Sequence, residues 1–420
     1  MVAKIKKYSS VLYVTMILLP YLKPYNFTLI PWLDDIYKVW KVAVTLFILI
    51  EFAKEFIKKR RMIEKRTVFL WLFLFTWGIS LLLNGEKQLI LELGVNILSI
   101  FGVSVFFENI KNNEIYKKVV LQFLYVIAGS YSVLNLVVTI LGHPFGAKDM
   151  VLGDNANFLG GDNYSAFILI TLCGVMFFYD DIYVNKIRIR TYFFSACGLM
   201  SLIIPFSLTG LIAYLFLIVL FCLRKNVTIT KLFSRKNMLV LAVVITCLIA
   251  FFDLSQLFNG VLDVVGKAGF NGRNLIWPRA VNAIFERPLV GYGAVGSELS
   301  ADWEFLAGAN HTHNMILEYP FSTGLIGTLF FIMYLIKVFE GIHRQIHCNV
   351  QPLLLTMSSF ILCSIFDFYI GLIYFYLLLE LIAFYKDGNR GPCEEYNEKI
   401  WPWIQDRVGA KIKVKSIIRK

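Results

Sequence analysis

A chain of 420 residues that is 58% hydrophobic and only 17% charged departs from soluble globular usage, in which charged residues make up about a quarter. That composition excludes a soluble domain, a disordered chain and a disulfide scaffold, and runs such as VLYVTMILL and LIAYLFLIVLFCL lack the alternation of a transmembrane β-barrel. The net charge of +12 sits between the apolar runs and needs no nucleic-acid partner to explain it.

The apolar runs predict an all-α polytopic membrane protein of about twelve transmembrane helices, with one large external loop that contains a short amphipathic helix. In chain order the helices fall at 9–23, 39–57, 67–83, 89–107, 119–141, 164–179, 191–206, 208–223, 238–254, 322–340, 352–367 and 370–385. Alternate loops differ sharply in charge. One side collects Lys4, Lys6 and Lys7, the run from Lys54 to Arg66, Lys111 to Lys118, Lys186 to Arg190, Arg224 to Lys236, Lys337 with Arg344, and the tail after Tyr385. The positive-inside rule places that side, and both termini, in the cytoplasm. No small-residue cleavage site follows the first run, where Lys23-Pro24-Tyr25 stands, so it reads as an uncleaved span. The seven cysteines lie in spans or on the basic side, which leaves no external disulfide framework. Residues 1–254 therefore form nine spans with short loops, 255–321 a large external loop, 322–385 the last three spans, and 386–420 a basic cytoplasmic tail.

Two external segments, 142–163 and 255–321, are long enough to carry a site. In the second, Asn271-Gly272-Arg273 breaks the chain and a helix follows from Asn274 to Glu286, with Trp277, Val281 and Ile284 on one apolar stripe and Pro278 in its first turn. Arg287-Pro288 stops it, Gly291-Tyr292-Gly293 forms a flexible turn, and His311-Thr312-His313-Asn314 precedes the tenth span. By itself this describes an amphipathic helix lying on the outer leaflet, followed by a loop.

The stretch GRNLIWPRAVNAIFERPLVGYGAVGS and the later HTHNMILEYPFSTGLIGTLFF resemble the external-loop signature of the O-antigen ligase and polymerase superfamily. The resemblance covers about 60 residues, with Gly-Arg, then Trp and Ala in a helix, Arg-Pro-Leu-x-Gly-x-Gly, and His-Asn-x-x-Leu-Glu ahead of Gly-Leu-Ile-Gly. It implies a membrane glycosyltransferase that polymerises oligosaccharide repeat units carried on undecaprenyl diphosphate into O-antigen, capsule or exopolysaccharide. Such an enzyme is inverting and needs no cofactor and no metal. The implied partners are the lipid-linked oligosaccharide, membrane lipid, a flippase and a chain-length regulator. The ligases of the superfamily instead transfer glycan to a lipid A core sugar; the richness of this chain in Ile, Lys, Asn, Phe and Tyr, as in AT-rich genomes of bacteria that make capsule without such a core, favours the polymerase.

Displacing a polyprenyl diphosphate from a sugar needs cations on the departing phosphates, a base for the acceptor hydroxyl, and polar groups to hold sugars. Arg273, Arg279 and Arg287 supply the cations, since guanidinium grips phosphate in a bidentate way. His313 is the candidate base, an imidazole with an ordinary pKa of about 6.5 being neutral on the outside. By the resemblance, Arg273 and His313 fall on the functional Arg and His of the family. Trp277, Asn314 and the turn Gly160 to Tyr164, with Asp162 and Asn163, complete the expected substrate-binding set. The resemblance departs at an outer turn where many members carry Ser-Arg-Gly. Here Ser207-Leu208-Thr209-Gly210 has no Arg, which leaves Arg279 or Lys148 for that contact. His311 and His313 could alternatively be two zinc ligands, with Glu318, Glu304 or Asp302 as the third. Glu92, Asn96, Asp367 and Glu380 are polar groups in apolar surroundings, expected to face the interior in roles that the sequence does not specify. A secondary transporter is disfavoured because the loop from Lys58 to Arg66 lacks the glycines and Asp of that class and the two halves of the chain differ. A flippase would have no use for the external His/Arg loop.

Overall fold

A computed structural model describes residues 2–59, 62–84, 87–141, 157–251, 273–293, 311–342 and 350–386. Lys148, Glu298, Asp302, Glu304, the side chain of Asp162 and the tail from Trp401 to Lys420 lie outside the described residues. The protein is all-helical; the sole extended pairing among the described residues is the bridge between Asn157 and Gly160. The helices are α1 (Val2–Leu18), α2 (Pro31–Lys59), α3 (Lys65–Asn84), α4 (Lys87–Ile110), α5 (Glu114–Leu141), α6 (Asp162–Tyr183), α7 (Ile189–Ile203), α8 (Leu208–Cys222), α9 (Val227–Leu232), α10 (Arg235–Phe251), α11 (Arg273–Glu286), α12 (Met315–Phe339), α13 (Gln351–Ser364) and α14 (Ile373–Lys386).

Each of the twelve expected stretches is occupied by a helix. By length and composition five of them, in α3, α4, α5, α6 and α12, can cross a membrane, so the chain is an integral membrane protein. The apolar helices α7, α8 and α13 are shorter, at 15, 15 and 14 residues, and at about 1.5 Å per residue each reaches only about 22 Å of a core about 30 Å thick. At the centre stand α6 and α14. Every residue of α14 from Ile373 to Tyr385 is buried, which is why its sequence is apolar all round rather than on one stripe. Its one acid, Glu380, meets Arg66 of α3 and accepts from Tyr334 Oη at 2.9 Å. Glu92, by contrast, lies on an exposed face of α4.

The connections fall into two sets, one at each end of the bundle. At one end Asn26 N donates to Phe158 O, Asn84 Nδ2 to Gly291 O and Asn314 Nδ2 to Ile365 O. At the other, Arg188 pairs with Asp180, and Gln351 Nε2 donates to Arg224 O. Basic loops gather at the second end, as the alternation of charge along the sequence requires.

The helix α12 begins at Met315 rather than at 322, because Asn314 caps it: its Oδ1 accepts from Ile316 N at 2.9 Å and Leu317 N at 3.2 Å. It is broken at Gly324, whose φ of 63° and ψ of −175° define a region open essentially to glycine alone. A break at this buried position strands backbone groups at a cost of about 1–3 kcal/mol each if they are left unpaired. The segment from Pro288 to Gly293 meets them: Tyr292 N donates to Phe321 O and Gly293 N to Ser322 O, both at 2.8 Å, while Leu325 N donates to Pro288 O at 2.7 Å and Ile326 N to Leu289 O at 3.4 Å. Gly291, at φ 72°, lies so close that a Cβ there would fall 2.5 Å from Gly324 N and Phe321 O. The expected flexible turn is therefore a strap pinned between α3 and α12.

Candidate functional site

The helix α11 does not lie loose on a leaflet. Ile276 and Ala283 pack with Tyr292 and Phe321, and Trp277 and Ala280 pack with Ile249 of α10 and Leu317 of α12, so two faces of its stripe are used against the bundle. Phe285 remains exposed. This docking brings Arg273, the first residue of α11, over the turn between α13 and α14. It also aims the Trp277 indole inward, where its Nε1 donates to Thr312 O at 3.1 Å.

The segment His311 to Asn314 is held from several sides. Thr312 points one way, its N and Oγ1 both donating to Glu318 Oε2 at 2.8 Å, and the other oxygen of Glu318 accepts from Ser322 Oγ at 2.9 Å. Glu318 is thus spent on shaping the segment and does not join the histidines. Asn314, buried, donates to Ile365 O at 2.8 Å and to Thr246 Oγ1 at 2.9 Å. His311 and His313 point the other way, side by side, with ring centroids 3.8 Å apart. His313 adopts φ 55°, a left-handed conformation that costs a non-glycine residue about 1–2 kcal/mol and persists because the flanking bonds fix it.

Both rings converge on Asp367, which sits in the irregular turn after α13 and not within the eleventh helix as expected. The separation of His313 Nδ1 from Asp367 Oδ1 is 2.8 Å, of His311 Nε2 from the same oxygen 3.4 Å, and of Arg273 Nη2 from Oδ2 3.6 Å. Burial works against a charge on Asp367, but hydrogen bonds from His311 and His313 and the charges of His313 and Arg273 outweigh it and hold the carboxyl well below the ordinary carboxylate range. A carboxylate only accepts, so His313 Nδ1 is the donor of this bond, and in the neutral form of the ring Nε2 is the acceptor. Burial first, and His313 second, lower the pKa of His311. Tyr369 flanks His311 at 4.2 Å between centroids and Tyr164 at 5.5 Å. Next to Tyr164, Asn163 Oδ1 accepts from Ser207 Oγ at 3.0 Å, so the outer turn that lacks an Arg is tied into the same end of the bundle.

The remaining expected residues lie further out. Arg279 is half-buried along α11. Arg287 is exposed; its guanidinium stacks 4.6 Å over Tyr292 and donates to Asn84 Oδ1, contacts that fasten the strap to α3. Trp277 and Asn314 spend their polar atoms on the protein itself. His311, His313 and Asp367 each offer one ligand atom within 4.8 Å of the others. That set of two imidazoles and a carboxylate could hold a zinc-like ion, although the Arg273 guanidinium beside Asp367 opposes a second cation. Of the three acids considered from the sequence as a third ligand, Glu318 does not join the histidines, Glu304 and Asp302 lie outside the described residues, and Asp367 takes the place.

The sequence reading missed Asp367 as the partner of the histidines. Its signal was present: one acid in the otherwise apolar Ile365-Phe366-Asp367-Phe368-Tyr369-Ile370 hairpin, at the end of the bundle where the His-Thr-His-Asn segment also falls. No curated protein and no solved structure matches the chain. Residues 193–332, from within α7 through α11 to past the break in α12, match the family model described as O-antigen ligase.

Proposed function

We propose that the protein is a glycosyltransferase that joins polyprenyl-diphosphate-linked repeat units into polysaccharide at the outer face of the cytoplasmic membrane. The observation that carries this reading is the convergence of His313, Asp367 and Arg273 at one end of the bundle, in a chain matched by this family. His313 Nε2 takes the proton of the acceptor hydroxyl as its oxygen bonds to the anomeric carbon of the donor sugar. Asp367 holds the ring and stabilises the imidazolium that forms. The bond from the anomeric carbon to the phosphate oxygen breaks, and the diphosphate leaves with the electron pair. Arg273 is placed to meet its developing charge. Attack from the face opposite the leaving group inverts the anomeric centre.

The family description favours a second reading, a ligase that passes finished glycan to a lipid A core. Glycan from a deletion strain separates the two. Loss of long polymer with survival of single lipid-linked units indicates the polymerase; long lipid-linked polymer that accumulates without transfer indicates the ligase. Unchanged glycan in that strain would contradict both.

A further inference from the structure

Along α5, α6 and α7 runs a groove of about 720 Å³ that the proposed chemistry does not use, with its charged mouth toward the end of the bundle opposite the histidines. One wall is a stripe of α5 from Gln122 through Val126 and Ser130 to Leu134, and twelve residues of helix make it about 18 Å long. Phe194 of α7 forms the facing wall. The groove opens sideways, toward lipid: Val126 is 63% exposed and Leu134 40%.

Its charge lies at one end. Tyr125, which lines the groove, has the guanidinium of Arg188 at 4.6 Å from its ring and that of Arg190 at 5.0 Å. Arg188 is neutralised by Asp180, with Nε 2.6 Å from Oδ1. Arg190 lines the groove, is exposed, and has no carboxylate in ion-pair range among the described residues. Lys118, also exposed, lies 5.4 Å over Tyr183 at the same end. The groove is thus an apolar slot with an uncompensated cation at its mouth, on the side to which the basic loops belong.

A single hydrocarbon chain running beside α5 under a phosphate at Arg190 fits both the shape and the charge, and basic pockets between helices on the cytoplasmic side take anionic headgroups. The polar edge of Gln122, whose Nε2 reaches only the Tyr179 hydroxyl at 3.4 Å, sits where the ester region of such a lipid would lie.

We propose that this groove binds an anionic phospholipid of the inner leaflet, its phosphate on Arg190 and one acyl chain along Val126 to Leu134. The site depends on the charge-derived orientation and not on the glycosyltransfer reading. Native mass spectrometry of the full chain in detergent, with added phosphatidylglycerol or phosphatidylcholine of identical acyl chains, tests it. The wild type should bind phosphatidylglycerol about tenfold more tightly, Arg190→Gln should lose that preference and Arg190→Lys should keep most of it. Val126→Trp, at an exposed position whose larger ring fills the slot, should weaken both lipids, and it decides the matter if Arg190→Gln fails to fold. Equal binding of the two lipids by the wild type, an unchanged preference in folded Arg190→Gln, or recovery of a polyprenyl phosphate as the resident lipid would overturn the proposal.

Discussion

His313 is held by its neighbours more tightly than a solvent-exposed base would need. Its left-handed backbone and the 2.8 Å bond from Nδ1 to Asp367 fix both the direction of the ring and the nitrogen that can accept a proton. Asp367→Asn preserves the shape but removes the charge that favours the imidazolium, so product formation should fall by about 10²-fold or more; a rate within a few-fold of wild type would reduce Asp367 to a structural role. Arg273→Lys retains a positive charge and loses the planar fork, and strong impairment is expected if the group grips diphosphate. A lysine variant with normal activity would show that charge alone suffices. His311 behaves differently. Because its pKa is lowered in the folded chain, the unfolded chain takes up its proton first as pH falls. Stability is therefore full above the ordinary histidine value of about 6.5 and declines below it. The thermal midpoint of wild type should drop more between pH 7.5 and 5.5 than that of His311→Phe, and parallel drops would contradict this. Arg273 and His313 were legible because their residue types and spacing belong to a sequence pattern. Asp367 was not, since 54 residues separate it from His313 and only the fold of the α13 to α14 hairpin brings them together.

The strap and the broken helix account for a pattern that had no chemical explanation in the sequence. Arg-Pro-Leu-x-Gly-x-Gly is a length of backbone that completes the hydrogen bonding of α12 across the break at Gly324, and Arg287 and Asn84 anchor it to α3. A Cβ at Gly324 would lie 2.2 Å from Leu289 O. Gly324→Ala should therefore cost more than about 1–3 kcal/mol and reduce the yield of monodisperse protein. Gly94→Ala in α4 meets nothing within 4 Å and should be neutral or stabilising by about 0.5–1 kcal/mol. Equal yields and melting temperatures for the two variants would remove the strap from the account. Hydrophobic runs located the helices well, because burial and bilayer length dictate them. They misplaced the start of α12, which an Asn cap rather than hydropathy determines, and read the strap as a flexible turn, because backbone pairing with a residue some thirty positions later leaves no periodicity to detect.

At the scale of the molecule, composition alone was enough for the helical membrane class, and the alternation of basic loops anticipated the two ends into which the connections separate. The buried pairing of Glu380 with Arg66 was not legible, since nothing in the sequence indicates which of several loop cations turns inward. The orientation has its own test: in a cysteine-free variant, a cysteine replacing exposed Asn282 on α11 should react with an impermeant maleimide in intact cells, and one replacing exposed Lys225 should not. The reverse pattern would move the histidines to the cytoplasm. The most direct test of the central claim is polymer formation by purified full-length protein in liposomes supplied with lipid-linked repeat units. Wild type should yield a ladder of lengthening chains, and His313→Ala, folded and present in equal amount, should slow it by about 10²- to 10⁴-fold. A His313→Ala protein that builds the same ladder at a near-normal rate would show that His313 is not the base.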